Sequence, residues 1–266
     1  MDNKNTIGRL GPLETEVLAR LTYEKKTLVT GLELDRLFRF TPVERAKIVS
    51  RLKKKNILFP VKRGVYLFSP LDAGPLGRGI DELLVPPLYC PKNNYYVGYS
   101  TLFNYYGFSE QMFQTVYVLN TSFAKEKNIG GLSFKFLKIS EERLYGRKQI
   151  EVKGTQVFIS DKERTLIDLL YFNKPVGGIL PAARIFQSMV KKGDCDLKKV
   201  IDYACKFPNV TLRKRVGVLL EGSAVRESLL RPLAKTVGGS AISSFGKSRR
   251  GTLDKKWRVI IDASSG

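Results

Sequence analysis

Apolar residues recur at helical spacing near the start of the chain and then fall into two short extended runs. Val17, Leu18 and Leu21 mark a helix from about Glu14 to Tyr23. Thr30 and Thr41 are each followed three residues later by a glutamate, Glu33 and Glu44, the reciprocal capping box that opens a helix. Pro42 stands where a helix tolerates proline best. Only Arg39 and Phe40 remain between the two helices, so the turn is tight. In the third helix, Pro42 to about Lys55, the 3.6-residue period places Val43, Ala46, Val49 and Leu52 on a packing arc. Glu44, Lys47, Arg51, Lys54 and Lys55 fall on the outward one. Ile57 to Val61, a Lys62-Arg63-Gly64 turn and Val65 to Phe68 read as a hairpin. Helix, helix, helix, hairpin is the order of a winged helix-turn-helix.

Pro70 to Pro91 holds five prolines and three glycines around a short apolar piece, and the domain boundary is expected there. The division is residues 1–72, a linker over 73–91, and residues 92–266. The second part predicts a helix at about Thr101 to Tyr106 and strands at Thr115 to Leu119, Phe134 to Ile139 and Gln156 to Ile159. Ser160 with Glu163 forms a third capping box for a helix from Asp161 to Phe172. Helical patterns follow at Leu180 to Lys191, Leu197 to Phe207, Leu212 to Glu221 and Val225 to Thr236, and a loop from Gly238 to Gly251 leads to a strand at Trp257 to Ile261. The fold class is α+β: an N-terminal winged helix-turn-helix followed by a mixed α/β, helix-rich C-terminal domain.

Charge decides which partner this architecture suits. The 266 residues carry 46 Lys and Arg against 25 Asp and Glu, a net +21, so the summed field attracts polyanions. Between Arg36 and Arg63 there are ten basic residues and one acid, Glu44. A basic helix beside a basic hairpin tip supplies phosphate neutralisation and base-edge donors together. The expected partner is double-stranded DNA, and the candidate DNA-binding residues are Thr41, Glu44, Lys47, Arg51, Lys54 and Lys55 of the third helix with Lys62 and Arg63 of the wing. Further phosphate contacts are candidates at Arg213, Lys214 and Arg215, which equally suit a solvated first turn, and in the loop at Lys247, Arg249 and Arg250.

The chemistry of the remaining motifs is incomplete. Histidine is absent, which removes the usual general base near neutral pH and the histidine-bearing triads. The three cysteines, Cys90, Cys195 and Cys205, contain no C-x-x-C pair and suit a reducing interior. Ala241 to Ser248 imitates a phosphate-binding loop, but a helix precedes it and the helix required after it is missing. Gly177-Gly178 followed by Asp194 and Asp196 imitates a nucleotidyltransferase pattern, with too long a gap between the two parts. Asp194 or Asp196 equally serves as a helix cap. Glu151-Val152-Lys153 imitates a nuclease fragment without the upstream acid that completes a magnesium site.

No catalytic residue, metal ligand or cofactor is expected. Ten of the 28 aromatic residues crowd into Asn93 to Ala124 without a cation to accompany base stacking, which favours a packed core. That stretch is too polar for a bilayer. Arg164 and Asp168 read as a helix-surface pair. Met1 to Leu13 lacks the apolar core of a signal peptide, and a cytoplasmic, non-membrane protein is expected.

The chain resembles the AbiEi-type antitoxins, transcriptional regulators of type IV toxin-antitoxin systems. The likeness lies in RLKKKNILFPVKRGVYLFSP, YSTLFNYYGFSEQMFQTVYVLN, VFISDKERTLIDLLYFNKPVGG, LRKRVGVLLEG and KKWRVII. The resemblance implies a winged helix that binds operator repeats and represses its own operon. It also implies a C-terminal domain that counters a nucleotidyltransferase-like toxin without direct contact being required. On that basis Lys47, Arg51 and Lys54 are helix-three contacts, and Lys62 and Arg63 wing contacts. Two other readings remain: a stand-alone winged-helix regulator with a protein-interaction domain, and, remotely, a metal-dependent nucleotidyl-transfer enzyme or nuclease.

Overall fold

A computed structural model of the chain describes residues 9–69, 81–246 and 248–261. The chain divides into two compact units, one of residues 1–91 with 126–134 and 151–157, the other of residues 92–125, 135–150 and 158–266.

In the first unit, α1 (Pro12–Tyr23), β1 (Leu28–Thr30), α2 (Gly31–Phe38), α3 (Pro42–Lys54), β2 (Leu58–Lys62) and β3 (Val65–Phe68) follow in order. The strands form an antiparallel sheet, β1-β3-β2. Thr30 and Thr41 cap α2 and α3 through the reciprocal bonds to Glu33 and Glu44, so the helix starts lie where the spacing places them. Val17, Leu18 and Leu21 of α1 meet Leu34 of α2, Ile48, Val49 and Leu52 of α3, and Ile57, Leu58 and Phe68 in one core. Ion pairs Arg45–Asp35 and Lys55–Glu14 tie α3 to α2 and to α1.

The segment expected as a linker is folded in its second half. Residues 70–80 lie outside the described residues, but a 3-10 turn at Glu82–Leu84 leads into α4 (Val85–Tyr89). The Tyr89 hydroxyl donates to the Val61 carbonyl, and the Lys62 ammonium lies 3.3 Å from the Leu88 carbonyl. Pro86 and Pro87 sit in the first turn of α4, where a missing amide costs no intrahelical bond. Proline density in the sequence therefore conceals a helix.

A six-stranded mixed sheet has the order β6-β7-β5-β4-β9-β8. Its strands are β4 (Tyr95–Gly98), β5 (Thr115–Asn120), β6 (Lys125–Ile129), β7 (Leu132–Lys138), β8 (Arg147–Val152) and β9 (Thr155–Ser160). β4 runs antiparallel to β5 and parallel to β9. The helix expected over Thr101 to Tyr106 is instead a 3-10 turn at Tyr99–Leu102 followed by turns.

The second unit then continues as helices α5 (Lys162–Tyr171), α6 (Ile179–Lys191), α7 (Leu197–Lys206), α8 (Val210–Glu221) and α9 (Glu227–Lys235). A small sheet, β10-β12-β11, follows, built from Ser243–Ser244, Val259–Ile261 and Thr252–Asp254. Leu166 and Leu170 of α5, Phe186, Val200, Val216, Leu220, Leu233 and Trp257 share its core. Asp161, not Ser160, caps α5, its carboxylate 2.8 Å from the Arg164 amide. Ser160 ends β9, and Glu163 accepts from the Asp196 amide at 3.0 Å instead of closing a capping box. The architecture is mixed α/β, and no helix among the described residues is long and apolar enough to cross a membrane.

Candidate nucleic-acid interface

The outward surface of α3 is set by which of its residues the core takes. Ile48, Val49 and Leu52 are buried, whereas Val43 is 63% exposed and Ala46 is exposed as well. The expected packing arc is therefore displaced around the helix by roughly one position. Arg45 supplies the reason, because its pairing with Asp35 of α2 turns that position inward. Ile48, Val49 and Leu52 are spaced i, i+1, i+4 in the sequence, which is the signal available for the true arc.

Turning the helix this way leaves Lys47, Arg51 and Lys54 exposed, and among the described residues none of them forms an ion pair. Thr41 and Glu44 have a different task. The Glu44 carboxylate accepts from the Thr41 amide at 2.9 Å and from its hydroxyl at 2.8 Å, and the Thr41 hydroxyl receives the Glu44 amide at 3.3 Å. The bond from the Thr41 backbone, then that from its hydroxyl, lowers the Glu44 carboxyl below its ordinary value. Lys55 is committed elsewhere, to the Arg9 carbonyl at 2.8 Å and to the buried Glu14 carboxylate. It joins α1 to α3 and leaves the outward cationic set.

The hairpin tip lies beside the N-terminal half of α3. Gly64 turns the chain at φ 70°, a conformation that glycine adopts without strain, and its carbonyl accepts from the Gly31 amide at 2.8 Å. Lys62 and Arg63 are exposed. A concavity of about 560 Å³ is lined by Gly31 and Leu32 of α2, Pro42 and Ala46 of α3, and Arg63 and Val65 of the hairpin.

The cations of α8 are occupied within the chain. Arg213 donates to the Phe207 carbonyl at 2.8 Å and the Thr236 carbonyl at 3.2 Å, and Arg215 to that of Phe245 at 2.9 Å. Lys214 is 1% exposed and donates to the carbonyls of Ala241 and, at 3.2 Å, Arg258. Burial, and then the nearby Arg258, lowers the Lys214 ammonium pKa. Arg213 ties α8 to the ends of α7 and α9, and Lys214 and Arg215 tie it to the segments flanking the C-terminal sheet. Burial removes Lys214 as a phosphate contact. Arg249 and Arg250 are exposed, and Lys247 lies outside the described residues.

Other sequence motifs resolve into structural parts. Ser243 and Ser244 form β10, paired parallel to β12, and Phe245 after them is buried, so among the described residues a strand stands inside the motif instead of before it. Asp196 caps α7, accepting the amides of Lys198 at 2.9 Å and Lys199 at 3.2 Å, and Asp194 pairs with Lys162. Most of the aromatic stretch is core, including Tyr95, Tyr96, Tyr99, Phe103 and Phe108.

Arg164 and Asp168 are not on the surface, since both side chains are 0% exposed. Arg164 reaches the Tyr96 hydroxyl at 2.8 Å and lies 4.3 Å from the Tyr145 ring centre. Burial disfavours its charge, yet the attraction of Asp168, then of Tyr96 and Tyr145, raises the guanidinium pKa.

The fold has a solved counterpart. The crystal structure of the RV2827C protein from Mycobacterium tuberculosis is similar with a TM-score of 0.64 over 95% of this chain and 92% of that one, at 12% sequence identity. No family model matches the chain, and no curated protein matches it significantly. At that identity the likeness speaks for the arrangement of elements alone.

Proposed function

We propose that the chain is a DNA-binding transcriptional repressor whose first unit is a winged helix-turn-helix, with α3 entering the major groove and the β2–β3 hairpin acting as wing. The observation that carries this reading is the outward set Lys47, Arg51, Lys54, Lys62 and Arg63, exposed on α3 and the adjoining hairpin tip in a chain of net +21. Each exposed cation that meets a phosphate releases a counterion, so log affinity falls with log salt by about 0.9 per contact. Fluorescence anisotropy on duplex DNA across a salt series tests this. Arg51→Ala and Lys54→Ala each weaken binding and reduce the slope by about one contact. Binding indifferent to salt and to both substitutions would falsify the assignment.

The likeness to AbiEi-type antitoxins supports a second role, without catalytic turnover, in which the remainder of the chain counters a nucleotidyltransferase-like toxin and the first unit represses the shared operon. Co-expression of the Arg51→Ala/Lys54→Ala chain with an adjacent toxin gene separates the two roles, since rescue persists while repression of an operator reporter is lost. Failure of the unaltered chain to rescue leaves the stand-alone regulator as the reading.

A further inference from the structure

A helix built only to neutralise phosphate has no use for apolar side chains in water on its outward face, yet α3 carries them. Val43 is 63% exposed, and Ala46, one turn further, is exposed and lines the concavity that Arg63 borders. By the helical period Val43, Lys47, Ser50 and Lys54 share the arc opposite Ile48 and Leu52. Val43 thus shares its arc with two exposed cations, Lys47 and Lys54. An apolar protein surface laid over Val43 would strip water from those charges without compensating them.

The major groove of DNA offers both complements at once. Its phosphates meet the cations, and the C5-methyl of thymine is the apolar feature of its base edges. Position along the helix agrees, because a groove-lying helix presents its N-terminal residues to base edges. Val43 is the second residue of α3, whereas Arg51 and Lys54 lie in its last two turns. We propose that Val43, flanked by Ala46, reads a thymine C5-methyl, so that the bound sequence requires a T·A pair at that step. This deepens the DNA-binding reading above and rests on it.

The test begins with selection of duplexes from a random pool by the full chain. Each thymine of the selected site is then replaced singly by deoxyuridine, which removes only the methyl. At one position uracil weakens the unaltered protein about three- to fourfold, the worth of one buried methyl-sized group, and Val43→Ala binds the thymine and uracil duplexes equally. Absence of any uracil-sensitive position, or a sensitivity that survives Val43→Ala, overturns the inference while Arg51- and Lys54-dependent binding still stands. Retention of no duplex at all overturns the DNA-binding reading and this inference with it. A dimer in solution that Val43→Ala dissociates assigns the face to a second copy and likewise overturns it.

Discussion

Arg164 and Asp168, one turn apart on α5, form an ion pair at 3.2 Å with both side chains wholly removed from solvent. Such a pair contributes little net stability when intact but leaves an uncompensated buried charge when half of it is removed. The Tyr96 hydroxyl, 2.8 Å from Arg164 and 3.3 Å from Asp168, joins the pair to β4. Arg164→Ala or Asp168→Ala alone should lower unfolding free energy by about 3–5 kcal/mol, and joint replacement by Met and Leu should recover much of it. Urea unfolding of the four proteins checks this. Single variants as stable as the parent would show that the pair is dispensable.

Gly217 lies under the ring of Trp257, so closely that a Cβ there would stand 2.2 Å from the indole. Trp257 is the chain's single tryptophan and is buried, with its indole N–H bonded to Glu221. Gly217→Ala should overpack this contact and cost about 1–3 kcal/mol. Intrinsic fluorescence reads the site directly: the parent should emit as a buried indole, and the shift to longer wavelength should come at lower urea in the variant.

Outward cations and internally committed ones should part company in binding assays. Lys47→Ala, Arg51→Ala, Lys54→Ala and Arg63→Ala should weaken DNA affinity and leave the unfolding free energy within about 0.5 kcal/mol of the parent, as substitutions at exposed positions do. Lys55→Ala and Lys214→Met should do the reverse, because each side chain is spent on partners within the chain. A large affinity loss in folded Lys214→Met would return α8 to the DNA-binding surface.

Acid should loosen the first unit through Glu14. The bond from Lys55 holds its carboxyl below the ordinary 4.5, against the opposing effect of burial. A folded-state value lower than the unfolded one stabilises the fold above 4.5, and that stability is lost as pH falls from there through the lowered value. Thermal melting of Glu14→Gln should therefore show a smaller loss between neutral pH and the acid range than the parent. Parallel curves would exclude Glu14 as a contributor.

The helices of the first unit were legible because their signals are local. Thr30 with Glu33 and Thr41 with Glu44 satisfy amides three residues away, and nothing distant alters that exchange. The strands divide by place in the sheet. β5, β7 and β9 show recognisable apolar runs, whereas β6 and β8, the outer strands, carry mostly charged and polar residues, as edges exposed to water do. β4 is buried at every position and lacks the alternation that marks a strand with one wet face.

The cationic composition was determined by the sequence, but which cations face outward was not. Lys54 and Lys55 are neighbours of the same type, yet Lys54 is exposed while Lys55 is held by Glu14 and the Arg9 carbonyl 46 residues away. Arg213, Lys214 and Arg215 read as a basic patch in the sequence and instead donate to carbonyls of distant segments, those of Thr236, Ala241 and Phe245. Arg164 and Asp168 have the spacing of a surface pair and are buried because β4, through Tyr96, and Tyr145 close over α5. A helical period assigns side chains to faces of one element, and only the packing of other elements decides which face meets water.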